Sequence, residues 1–260
     1  MIRIWALFLL CGVGLHAGAI DYERRLIPIA AGPTPGAFGT IWATNTMAVG
    51  ESSTEIEIVG VLPTRIPPGY GHSYPGNVAL PTSVNEPPGT ILYIPGDASG
   101  ALHISAELEE RQLTGTATQL PVVKEHEFLA RTRYFLHLEK RAGARIHLRV
   151  YSLDLSHVAP NVRIRIQANT LPSSNPWIFV YDSVHTLSAK QQTMTDVAGT
   201  ITVAIRPLAI ELPLDALLRD VPDGVELAVS VVPASEDLKI WAMVSETDNA
   251  SQRVSLRTPD

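Results

Sequence analysis

The chain has 260 residues, 45% of them hydrophobic and 18% charged, and carries a formal net charge of -6 at pH 7. That composition argues against a disordered chain, and the acidity argues against nucleic acid or an anionic membrane surface as partner, since both need a basic patch to release counterions. With 20 prolines, 18 glycines and only 6% aromatic residues, a bundle of long helices is disfavoured relative to many short elements separated by turns.

Residues 1–19 read as an export leader: Met1-Ile2-Arg3 is a short basic start, residues 4–15 are an apolar run, and Ala17-Gly18-Ala19 has the small-x-small pattern of a cleavage site. Cleavage is expected after Ala19, which places the mature protein in the periplasm or outside the cell. The apolar run is shorter than the roughly 20 residues that span a bilayer, so no membrane span is expected after cleavage. Cys11 is the only cysteine and leaves with the leader, which excludes a disulfide, a thiolate metal site and a cysteine nucleophile from the mature chain. Loss of Arg3 takes the net charge from -6 to -7.

Residues 21–29 form a short strand ended by Gly32-Pro33-Thr34-Pro35-Gly36. Residues 38–62 read as a hairpin turning at Gly50-Glu51-Ser52-Ser53, and Glu55, Ile56, Glu57, Ile58 alternate as a half-buried strand does, with the isoleucines inward. Residues 240–256 echo this unit. Both open Ile-Trp-Ala, and Gly50 and Ser52 answer Asn249 and Ser251 at the same offset.

Residues 63–89 are dominated by Pro, Gly, Ser and Asn, as in a long surface loop, and Tyr70, His72 and Tyr74 on it are the candidate ligand contacts. Strands are expected at 90–95 and 101–108, with 107–112 open between strand and helical turn, and a further extended piece begins at Leu120. Residues 134–151 read as a hairpin around Arg141-Ala142-Gly143. Its register pairs Leu138 with Ile146, Leu136 with Leu148 and Tyr134 with Val150 on one face, and Glu139 with Arg145 and His137 with His147 on the other. Strand patterns follow at 162–167, 177–181, 199–205, 225–232 and 238–244, with one helical turn at 215–219 capped by Asp215. The expected fold is therefore all-β: two antiparallel Ig-like β-sandwich domains after a signal peptide, divided as residues 1–19, 20–129 and 130–260.

Candidate chemistry is sparse. His137 with His147, and Glu139 beside them, would be a metal ligand set if they shared a face. His72-Ser73 sets a base beside a nucleophile, but adjacent loop residues do not reach catalytic geometry. Glu109-Glu110 and Glu125 with Glu127 are the close carboxylate pairs, and glycoside hydrolysis would need two facing across a cleft. Trp42, Trp177 and Trp241 read as core anchors because each lies in an apolar strand. Asn249-Ala250-Ser251 matches a glycosylation acceptor. No cofactor motif occurs.

Pro35-Gly36-Ala37-Phe38-Gly39 with Ile41-Trp42, Leu120-Pro121-Val122-Val123-Lys124-Glu125, Leu148-Arg149-Val150-Tyr151, and Trp241-Ala242 through Thr247-Asp248-Asn249 resemble segments of secreted bacterial proteins with β-sandwich domains and no assigned activity. The resemblance implies export and a sandwich fold, and it carries no site. The function expected is an exported, non-catalytic module that binds, adheres or supports at the cell envelope or beyond, with a protein or glycan partner. The rivals are a hydrolase or metal enzyme assembled in three dimensions, with His126, His137 and His147 as first suspects, and a two-domain periplasmic chaperone using Arg131 or Arg133 as its anchor.

Overall fold

The computed structural model describes residues 21–30, 33–51, 55–60, 64–66, 89–156, 159–169, 177–189, 193–196, 198–199 and 201–259. The leader at 1–19, the turn residues Ser52 and Ser53, and the loop bearing Tyr70, His72 and Tyr74 lie outside them.

The first half runs through β1 (Tyr22–Ile27), β2 (Thr34–Pro35), β3 (Ile41–Gly50), β4 (Ile56–Ile58), β5 (Thr64–Ile66), β6 (Thr90–Pro95), β7 (Leu102–Glu110), β8 (Ala117–Leu120) and β9 (Val123–Lys124). The second runs through β10 (Arg133–Glu139), β11 (Ala144–Ser152), β12 (Asn161–Asn169), β13 (Trp177–Thr186), β14 (Thr193–Thr195), β15 (Thr202–Ala204), β16 (Leu208–Pro213), the single turn α1 (Leu214–Leu217), β17 (Glu226–Pro233), β18 (Trp241–Asp248) and β19 (Val254–Arg257). All named pairings are antiparallel, in sheets ordered β6-β1-β9, β2-β3-β7-β8, β10-β17-β12-β13 and β16-β11-β18-β19, with two-stranded ribbons β4-β5 and β14-β15. The protein is all-β and sandwich-like.

The second half is built on alternation. On β12, Val162, Ile164, Ile166 and Ala168 are fully buried, and Leu227, Val229 and Val231 on β17 join them. From the facing sheet come Ile146, Leu148 and Val150 of β11 and Ala242 and Val244 of β18. Burying each large aliphatic side chain stabilises the fold by about 1.5–3 kcal/mol, so this interdigitated layer holds the two sheets together.

The β16-β11-β18-β19 sheet does not turn its other face to water. Tyr151 of β11, Ala209 of β16 and Trp241 and Met243 of β18 belong to the same apolar cluster as Leu26, Ile91 and Ile94 of the first half. The Tyr151 hydroxyl donates to the Pro28 carbonyl, the Tyr151 and Trp241 rings lie 6.0 Å apart, and Arg24 donates to the Leu153 carbonyl at 2.6 Å while gripping the Glu125 carboxylate with two nitrogens. A strand covered on both faces reads as a continuous apolar run. Trp241-Ala242-Met243-Val244 is such a run, and all four are buried.

The hairpin expected at 134–151 is not formed. β10 pairs with β17, while β11 pairs with β16 and β18 in the opposite sheet, so Leu138 and Ile146 enter one core from different sheets instead of facing each other along a ladder. A bulge between Phe135 and Leu138, with His137 at φ 54°, also breaks the period of two. Phe135 and Leu138 both point inward, and Tyr134 and Leu136 are left exposed.

β3 and β4 likewise do not form the expected hairpin. β3 lies between β2 and β7, and β4 pairs with β5. Ile56 and Ile58 are buried as expected. The Trp241 echo is a true hairpin, β18 with β19, so the two Ile-Trp-Ala units share a sequence pattern without sharing a topology. Residues 107–110 continue β7 as strand. The helical turn starts at Leu214, and Asp215 accepts the Ile146 amide at 2.7 Å rather than capping its own helix.

Candidate ligand-binding cleft

β11 spends its alternate residues on two jobs. Ile146, Leu148 and Val150 point into the core between its own sheet and the β12 sheet, and the intervening Arg145, His147 and Arg149 are carried to the opposite face. There Tyr151 and Trp241 seal one end against the first half of the chain. At the other end a cleft of about 220 Å³ remains, lined by Arg145, His147, Arg149, Ser245 and Thr247 on one wall. Ile29, Pro35, Trp42 and Leu108 supply the apolar wall opposite.

Most of the polar groups are tied together. Glu211 on β16 pairs with Arg149 in the strand register, accepts from Arg149 Nη2 at 2.5 Å and meets His147 Nδ1 at 2.8 Å through the same oxygen. Burial pushes the Glu211 carboxyl up, but the bonds to His147 and Arg149 outweigh it and hold the group below the usual carboxylate range. The second terminal nitrogen of Arg149 donates to Ser245 Oγ at 2.5 Å, and Ser245 is the direct cross-strand neighbour of His147.

Arg145 is held differently. One terminal nitrogen donates to the Gln252 side-chain oxygen at 3.2 Å, and the guanidinium carbon lies 5.6 Å from the centre of the Phe38 ring. Its Nε is buried without a hydrogen-bond partner, and among the described residues no carboxylate pairs with it. Phe38 is 65% exposed and sits at φ 58°, a left-handed conformation unusual for a bulky side chain. Trp42 is placed by its indole N–H, which donates to Thr40 Oγ1 at 3.0 Å, and by Gly36, where an added Cβ would come within 2.6 Å of the ring.

The residues singled out by the sequence do not form a metal centre. His137 lies on β10 against Glu226, at 2.5 Å, while His147 lies in the other sheet against Glu211, so the two never share a face. His126 is exposed on the single turn Glu125–Glu127. Among the described residues no group of three His, Cys, Asp or Glu side chains is placed to hold a metal ion.

The carboxylate pairs are structural. Glu110 is fully buried and accepts the amides of Ile41, Gln112, Leu113 and Thr114, which overcome the upward push of burial and hold its pKa at about 2. Glu109 binds Asn45 and Arg111, Glu125 binds Arg24, and Glu127 accepts the Lys124 amide. Arg133 is buried and donates to the carbonyls of Glu127 and Ile240, so it is fixed to backbone and not presented as an anchor. Trp241 is a core anchor as expected, whereas Trp42 is half-buried and lines the cleft.

The period of two sets Arg145 and His147 together on a polar face of β11, as the sequence implies, but that face lines a cleft and is not the solvated face of a hairpin. Glu211 and Phe38 carried no local signal. No family model matches the chain, and no curated protein or solved structure matches it.

Proposed function

We propose that this is an exported, non-catalytic binding protein of the cell envelope or extracellular space, built of two Ig-like sandwiches, whose ligand seat is the cleft between Trp42 and the Arg145-His147-Arg149 row. Support for export comes from the leader pattern of residues 1–19 and the likeness of short segments to secreted bacterial proteins. The partner is a protein or glycan of the envelope.

The observation that carries the binding reading is the division of labour in the cleft. An apolar wall with Trp42 faces a row of side chains held in place by Glu211, Ser245, Gln252 and Phe38, which is a pre-formed pocket with a few fixed polar groups. The Glu211 carboxylate behind this row is shared by His147 and Arg149 and held low, which suits a fixed charge better than a proton donor. The test is to titrate the leaderless protein with envelope glycans and peptides while following the Trp42 indole signal. A ligand that moves that signal and is recovered unchanged is the expected result.

A second reading, a serine hydrolase, rests on His147 of the cleft having Ser245 as its cross-strand neighbour and Glu211 as its hydrogen-bond partner. Against it, Ser245 Oγ is taken up by Arg149 and the residue is buried. Labelling of Ser245 by a fluorophosphonate, or turnover lost in Ser245→Ala, would favour the hydrolase and contradict the binding account.

A further inference from the structure

Given that the cleft is a binding site, its charges specify the kind of ligand. Glu211 already neutralises Arg149 and orients His147. Arg145 is the cation left over, with Nε buried and unpartnered, one terminal nitrogen on a neutral amide, and one face against Phe38. Arg145 is half-buried in the cleft with no carboxylate beside it among the described residues, and a carboxylate is the group that matches a guanidinium's planar fork with two parallel bonds. The backbone strain at Phe38 points the same way, since it holds an exposed ring against the Arg145 guanidinium.

The other wall limits the rest of the molecule. Trp42, Leu108, Pro35 and Ile29 offer a flat apolar surface for a ring or a short aliphatic body, and about 220 Å³ accommodates a single sugar ring or a pair of small residues. We propose that the cleft takes a small carboxylate-bearing ligand, with the carboxylate on Arg145 and the body against Trp42. Two sources share that chemistry: an acidic sugar, and the free C-terminal end of a peptide.

Isothermal titration of the leaderless protein separates the sources and tests the chemistry. Four probes are used: glucuronate, glucose, acetyl-alanyl-alanine with a free carboxylate, and its amide. One of the two acids is expected to bind and its neutral counterpart to bind at least about tenfold more weakly, the difference a charged bidentate contact gives. Arg145→Gln is expected to remove that preference and Arg145→Lys to restore part of it, while Arg163→Gln, which removes an exposed arginine paired with Asp182 on the outer sheet, leaves it intact. Circular dichroism confirms that each variant is folded.

Equal binding of acid and neutral partner, or an acid preference unchanged in Arg145→Gln, overturns the inference while leaving the cleft a binding site. Binding of neither acid also overturns it, and the Trp42 titration with envelope material then judges the binding reading separately.

Discussion

The two faces of the β16-β11-β18-β19 sheet are made from alternate residues of the same strands, yet they do opposite things. One face, with Ile146, Leu148, Val150, Ala242 and Val244, is uniformly apolar and closes a core. The other changes character along its length, from the aromatic seal of Tyr151 and Trp241 to the charged row of Arg149, His147 and Arg145. The difference teaches where a site can be placed in a disulfide-free sandwich. A face that must hold two sheets together cannot spare a position for charge, whereas one that is sealed at one end can leave its other end open.

The largest effect expected is at the seal. Trp241→Ala should cost about 3–5 kcal/mol of stability in denaturant unfolding, as for a large aromatic lost from a core. A cost near zero would mean that the second face is not buried against the first half of the chain. Leu148→Ala on the first face should cost about 2–5 kcal/mol by the same measurement, because the residue is fully buried. Tyr151→Phe keeps the ring and removes only the bond to the Pro28 carbonyl, so about 1–2 kcal/mol is expected.

At the charged end the expected effects are smaller and depend on pH. The Glu211 carboxyl is held below its usual value in the folded protein, so its interactions stabilise the fold above the unfolded pKa and are lost as pH falls through the folded one. The gap in melting temperature between the wild type and Glu211→Gln should therefore be present at neutral pH and shrink in acid. A gap that widened in acid would reverse the assignment. Smallest of all, Arg145→Ala should change stability by less than about 1 kcal/mol, since the side chain gives one hydrogen bond and one exposed ring contact to the fold.

How much of this was legible in the sequence depended on how each strand is covered. β12 and β17 are buried on one face, and the alternation of Val162, Ile164 and Ile166 with Arg163 and Arg165 announces it. Ile56 and Ile58 were placed inward for the same reason. Partner choice was less readable. The Arg141-Ala142-Gly143 sequence suits a turn that folds β10 back on β11, but it passes the chain between sheets, and the bulge at His137 breaks the period of two on which a hairpin register depends.

The cleft was half legible. Arg145 and His147 were assigned to one polar face by period alone, but nothing local says that a polar face will be roofed by Trp42, which is 103 residues away from Arg145 in the chain. The loop bearing Tyr70, His72 and Tyr74, which composition marks as a place for a partner, lies outside the described residues.

The most direct measurement follows the indole N–H signals of Trp42, Trp177 and Trp241 in the leaderless protein, assigned by single substitution to phenylalanine, as a carboxylate-bearing ligand is added. Trp42 lines the cleft, Trp241 is sealed beyond its closed end, and Trp177 lies on the outer sheet. The account predicts that the Trp42 signal moves with saturation while that of Trp177 stays in place, and that the movement is lost in Arg145→Gln. A ligand that saturates the protein while moving Trp177 alone would contradict it.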